Sequence, residues 1–185
     1  DTALPFLNVT KDDEYEPLWD VYGSVHSNFT RRRPYMLGIG NHEAWYNWTA
    51  TTTRYPMHTS SSSPAAARAR PPFWYTFESG GVHWTMLSSE HDYTTSSPQH
   101  DFARAALGGV DRTRTPWSVV AFHRPMYSSD KFEYPSSSAG GPLQTHLEPL
   151  LVGFAVDLVI TGDDRATESI TLPDLTSPHL TSPHL

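Results

Sequence analysis

Cysteine is absent from the 185 residues. That absence removes disulfides, thiolate nucleophiles and thiolate zinc sites together, so any metal here must be held by oxygen and imidazole. Basic residues are scarce: 13 Lys and Arg against 20 Asp and Glu leave a formal net charge of −7. With no basic tail and no basic stripe, the chain has little with which to neutralise a phosphate backbone, and no nucleic-acid partner is expected. No apolar run approaches the roughly eighteen residues a membrane span needs. No secretory leader is visible in the sequence, which therefore reads as a soluble protein.

What is present fits one domain of ordinary size with a real core. Three sequons, Asn8-Val9-Thr10, Asn28-Phe29-Thr30 and Asn47-Trp48-Thr49, are glycosylation acceptors in a secretory setting, although such triplets also arise by chance in a Thr-rich chain. The three- and four-residue steps of Leu18, Val21, Tyr22, Val25 and Phe29 predict a helix over 17–30, stopped by Pro34. Tyr35 to Ile39 reads as a buried strand. Residues 49–72, rich in Thr, Ser, Ala and Pro, read as a long mobile surface loop. Phe73–Glu78 and Val82–Leu87 flank Ser79-Gly80-Gly81, a hairpin signal. A second helix is expected over 98–107, ended by Gly108-Gly109, and a third strand over 117–122. Leu143, Leu147, Leu150 and Leu151 form a helical stripe. Residues 155–161 read as a strand buried on both faces. Helices and strands thus alternate, which favours an α/β fold with a parallel or mixed sheet and helices on its faces.

Three of these strands run into chemistry. Tyr35–Ile39 delivers Gly40-Asn41-His42-Glu43, Trp117–Phe122 delivers His123-Arg124-Pro125, and 156–161 delivers Gly162-Asp163-Asp164. Open α/β sheets place ligands at strand carboxyl ends. Asn41, His42, His123 and Asp163 are therefore placed to converge on one cation, with Glu43 suited to accept an imidazole N–H and fix its tautomer. Taken alone, the four-residue motif is as readily a polar turn, and a lone histidine at a strand end is more often structural. The coincidence across three strands favours a site. His83, His91, His26 and His146 read as packing or hydrogen-bonding residues, and His58, His100, His179 and His184 as solvated. Glu90-His91-Asp92 alternate in direction on an extended segment and so do not share one ion. Trp45, Tyr46 and Trp48 read as core or interface packing, with the lining of a substrate cleft as the alternative.

The ordered landmarks Gly40-Asn41-His42-Glu43, Trp74–Glu78 with Val82-His83-Trp84, Leu87–Tyr93, Phe122–Ser129 and Val156–Gly162 resemble those of purple acid phosphatases, which are calcineurin-like metallophosphoesterases. The resemblance covers about 17–162. It implies an α/β metallophosphoesterase fold, a β-sandwich of mixed sheets flanked by helices, here incomplete at both ends. The corresponding domain spans 1–162 and a divergent low-complexity tail spans 163–185, where Leu175–His179 repeats nearly verbatim as Leu180–His184. It further implies acid phosphatase activity on small phosphate monoesters, a dinuclear centre of Fe3+ with Fe2+, Zn2+ or Mn2+, and a secreted, lysosomal or vacuolar location. Position by position, Asn41 and His123 match ligands of the divalent ion, and His42 matches the residue that protonates or stabilises the leaving group. Asp1 stands where an aspartate bridges both metals.

The departures are as informative. Leu4 stands where the family has its iron-ligating tyrosine. After Gly162, Asp163 and Arg165 occupy the places of two histidine ligands. An Asp coordinates a hard cation, but an Arg has no lone pair to give. Of the polar residues after His123, Asp130, Lys131 and Glu133 are the nearest to where the family has substrate-facing histidines. Two functions follow from these readings, a metal-dependent phosphomonoesterase or a catalytically inactive relic of one.

Overall fold

The computed structural model describes residues 12–57, 65, 68–127 and 141–163. A four-stranded mixed sheet lies at its centre, in the order β1-β2-β3-β4. β1 (Tyr75–Ser79) and β2 (Val82–Met86) form the expected antiparallel hairpin, closed by Gly80 and Gly81 at φ 61° and 79°. Two consecutive positive φ values suit glycine and match the right-handed twist of the strands. β3 (Trp117–Phe122) and β4 (Leu158–Thr161) then add in parallel, so the carboxyl ends of β2, β3 and β4 point the same way. Within the described residues this sheet is what is seen of the expected sandwich.

One face of the sheet is covered by helix. α4 (Pro98–Gly108) starts at Ser97, whose side chain accepts the His100 N–H, and buries Phe102, Ala103, Ala106 and Leu107. The leucine stripe forms two short helices, α5 (Pro142–His146) and α6 (Glu148–Gly153), with Leu143, Leu147, Leu150 and Leu151 all buried in the same core as Val120 and Phe122. Pro149 at the start of α6 lacks the N–H that a continuous helix needs there, which accounts for the break. A second cluster packs Tyr15 and Trp19 of α1 (Asp12–Thr30) against Ala50 of α3 (Thr49–Arg54), with α2 (Asn41–Trp45) between them in the chain. No helix among the described residues is long and apolar enough to cross a membrane.

Five expectations change. α1 begins at Asp12 and carries Pro17 inside it instead of near its start. Residues 35–39 form no strand. Leu37 and Ile39 are buried on alternate positions, but the Leu37 carbonyl accepts from the Tyr75 hydroxyl at 2.8 Å and its N–H faces the Met57 sulfur at 3.3 Å. Side chains have taken the backbone partners a neighbouring strand would supply. The start of the 49–72 loop is helical, held by Arg54 pairing with Glu16 and Asp20 of α1, and the Thr51, Thr52 and Thr53 hydroxyls bond back to carbonyls three and four residues earlier. β4 is an edge strand in the described sheet: Leu158 and Ile160 are 41% and 42% exposed, so its apolar run covers one face only. His100, expected in solvent, is buried on α4 because it follows Gln99 on the helix's inward side. His58, His179, His184 and the tail from 164 lie outside the described residues.

Candidate metal centre

The site begins with where β3 ends. Phe122 is buried, and the chain leaves the sheet at His123, whose carbonyl accepts the Gly162 N–H at 2.8 Å. This bond continues the β3–β4 pairing one step past the strands and brings Asp163 alongside. Asp163 sits at φ 68°, a left-handed conformation that Asp tolerates better than most residues. Its carboxylate reaches back to the imidazole, with Oδ1 3.2 Å from His123 Nε2.

Asn41 arrives from the other side. Gly40 is extended, at φ −128° and ψ −174°, and its N–H donates to Glu43 Oε2 at 2.7 Å. Glu43 is 1% exposed. One of its oxygens thus caps the backbone of this turn. That turn holds Asn41 at the first position of α2, with Oδ1 3.0 Å from His123 Nε2. The close approach explains the glycine: a Cβ at position 40 would lie 2.8 Å from the His123 ring. His42, next on α2, is half-buried. Asp1, Leu4, Asp130, Lys131, Glu133 and Arg165 lie outside the described residues.

One ring nitrogen therefore faces two side-chain oxygens. A neutral imidazole has a single N–H to give there, whereas a cation accepts all three donors. Bonds of about 2.0–2.2 Å to a divalent ion set ligand-to-ligand edges of roughly 3.0 Å at right angles and roughly 3.4 Å in a tetrahedron. The observed 3.0 Å and 3.2 Å fall in that interval. Burial pushes the His123 pKa down, against the pull of Asp163, Glu90 and Glu43, which favours the neutral ring that a metal needs. One nitrogen and two oxygens form a hard-to-intermediate donor set suited to Zn2+, Mn2+ or Fe2+. Among the described residues no cluster of three or more His, Cys, Asp and Glu side chains is present. The trio counts one His, one Asp and an Asn.

The carboxyl end of β2 supplies what the sequence did not single out. Arg124 forks onto Glu90, Nε to Oε1 at 2.7 Å and Nη2 to Oε2 at 3.0 Å, and its N–H donates to Ser89 Oγ at 2.9 Å. His91 takes another direction: its Nδ1 lies 2.8 Å from Ser88 Oγ and its ring stacks between Trp48 and Phe73. Asp92 closes a local turn onto Thr94. The three neighbours thus go separate ways, although the segment turns at Ser89 and Glu90 instead of running extended. The signal for the Glu90–Arg124 pair was opposite charge at two strand ends brought side by side by parallel pairing. Tyr46 packs as expected, stacking on Tyr15 at 3.6 Å, while the Trp45 side chain lies outside what is described.

Comparison with known proteins places this geometry. The family model for calcineurin-like phosphoesterases matches residues 12–164. Purple acid phosphatase 18 of Arabidopsis thaliana is 33% identical over 162 residues, covering 84% of this chain and 35% of that protein. Acid phosphatase A of Cryphonectria parasitica is 38% identical over 197 residues, covering 80% and 38% respectively. The chain therefore spans roughly a third of the length of the curated relatives it matches. A solved purple acid phosphatase, PPD1 from yellow lupin seeds, superposes with a TM-score of 0.62 at 22% identity over 80% of this chain and 28% of that one. That likeness shows the fold.

Proposed function

Since this chain belongs to the calcineurin-like phosphoesterase family and is similar to purple acid phosphatases over most of its length, we propose that it carries part of the centre of a metal-dependent phosphomonoesterase. The observation that carries the reading is the meeting of Asn41 Oδ1 and Asp163 Oδ1 at His123 Nε2. Asn41, His123 and Asp163 hold the divalent ion, Zn2+, Mn2+ or Fe2+. Asp1 is the residue proposed to reach the second ion of the dinuclear centre, Fe3+. When bound, such ions polarise a phosphate oxygen and make a nucleophile available from water near neutral pH or below.

The protein's own residues do the rest. His123, neutral by burial, keeps its Nε2 lone pair directed at the two oxygens. Gly40 leaves room for the ring, and the Gly162 N–H holds the His123 carbonyl in place. His42, half-buried beside Asn41, supplies the proton that the departing alcohol oxygen takes up. The substrate class is small phosphate monoesters. A secreted, lysosomal or vacuolar location is supported by the sequons, of which Asn28 and Asn47 are exposed and Asn8 lies outside the described residues. The domain assigned to this activity is 1–162, with 163–185 as a tail.

A second reading is favoured by one observation: the described donors close around a single point, and only one of them is a histidine. On that reading the chain lacks several of the metal ligands and does not turn over, an inactive relic of the enzyme. Metal analysis of the purified chain beside hydrolysis of an aryl phosphate separates the two, with His42→Ala and His123→Ala as controls. The phosphatase reading expects bound metal lost with His123→Ala and turnover lost with His42→Ala at unchanged metal content. Absence of turnover, with or without bound metal, selects the relic and overturns the phosphatase reading.

A further inference from the structure

We propose that the Glu90–Arg124 pair is a positioning device for His123: it fixes the direction in which the imidazole leaves the end of β3, and so the convergence of the three donors. The inference rests on the reading of His123 as a ligand, but its geometry stands without any ion. His123 is the first residue past β3, where the sheet's own hydrogen bonds stop. On one side the peptide is tied to β4 by the Gly162 N–H on the His123 carbonyl, at 2.8 Å. On the other side the next peptide is tied to the end of β2 by the Arg124 N–H on Ser89 Oγ, at 2.9 Å. The His123 backbone is thus held from both flanks, and the second tie is only as firm as the Ser89–Glu90 turn.

The guanidinium makes that turn firm. Arg124 Nε and Nη2 engage both oxygens of Glu90, at 2.7 and 3.0 Å, and Ser89 Oγ donates to Glu90 Oε1 at 3.1 Å. The Glu90 side chain is 9% exposed. A two-point fork fixes angle as well as distance, which a single charge contact does not. With the Arg124 side chain still 34% exposed, solvent screens the pair and it adds little net stability. Its value here lies in direction. The turn is anchored further by the Glu90 N–H on Ser88 Oγ and by Gln99 of α4, whose amide bonds the Ser88 N–H and carbonyl at 2.6 and 2.9 Å. The path therefore runs from a fully buried glutamine on α4, through the end of β2, across the fork and into the backbone that carries His123. Because the ring already lies against Gly40, even a small rotation at position 123 would either collide with that residue or open the gap to Asn41.

The test reads the ring directly. In the metal-free full chain, nuclear Overhauser contacts from the His123 ring protons to the Gly40 and Gly162 α-protons report its orientation. Arg124→Met and Glu90→Gln are expected to weaken both contacts several-fold while the amide resonances of β2 and β3 stay in place. Arg124→Lys, which keeps the charge but loses the fork, is expected to behave like Arg124→Met. In a parallel titration with Zn2+, the same variants are expected to bind about tenfold more weakly than wild type, the usual scale for losing a group that orients a ligand. Ring contacts unchanged in Arg124→Met, or fully retained in Arg124→Lys, overturn the proposal. If Arg124→Met does not fold, Glu90→Gln, which is isosteric, decides by the same contacts. Failure of the wild-type chain to bind Zn2+ removes the ligand reading of His123, and the ring contacts still decide whether the fork positions it.

Discussion

At the scale of single residues, the site is set by two glycines that do different jobs. A Cβ at Gly40 meets the His123 ring at 2.8 Å, while one at Gly162 meets Nδ1 of the same ring at 3.7 Å, an ordinary contact. Gly40→Ala is therefore expected to destabilise the chain by about 1–3 kcal/mol, the usual cost of forcing extra volume into a packed place. Gly162→Ala is expected to stay within about 0.5 kcal/mol of wild type. Urea denaturation of the two variants checks both, and equal effects would contradict the packing described. The meeting of Asn41, His123 and Asp163 was legible in the sequence, since each follows an apolar run and each is a metal-compatible donor. The reason for Gly40 was not legible, because the group that crowds it lies 83 positions further on.

Among the elements, those whose signals are local came out as read. The hairpin follows from two aromatic runs around Ser-Gly-Gly, and α4 from Ser97-Pro98 at one end and Gly108-Gly109 at the other. Ser97 Oγ accepts the His100 N–H at 3.1 Å, satisfying a donor the helix leaves open. Ser97→Ala is expected to cost about 1 kcal/mol, measured as a lower unfolding midpoint. A loss below about 0.3 kcal/mol would mean that solvent replaces the cap fully. Where partners are remote, the sequence misled. Residues 35–39 have a strand's apolar run, yet Tyr75 and Met57 occupy the Leu37 backbone groups. Thr49–Arg54 has weak helix propensity, yet it is helical because Arg54 is held by Glu16 and Asp20. β4 was misjudged for a related reason: an apolar run says that a strand is wanted in a sheet, not how many of its faces are covered.

The whole molecule has a pH dependence written into its buried histidines. Burial lowers the pKa of His83, His91 and His123, with Glu78 opposing at His83 and Arg70 adding to the effect at His91. In the unfolded chain each titrates near 6.5. Between that value and the lower folded one, the unfolded chain binds more protons. Stability is thus fully present above about pH 6.5 and declines as the pH falls through the folded values. Denaturant titrations of the metal-free chain at pH 7.5 and 5.0 are expected to show a lower midpoint at pH 5.0. His83→Gln is expected to narrow that difference. A midpoint that rises on acidification would show that Glu78 and Asp163 outweigh burial. A bound cation at His123 is expected to widen the difference, since it holds that ring deprotonated in the folded state while the unfolded chain still takes up its proton.

The contact between Asn41 and His123 joins positions 82 apart in the chain, and Asp163 lies a further 40 along, 163 − 123. No partly formed stretch contains all three, so affinity for a divalent ion can arise only when the last long-range pairing is complete. On the proposed reading, a cation titration of this protein counts correctly assembled molecules, and a substoichiometric endpoint measures the fraction in which the three donors have not met.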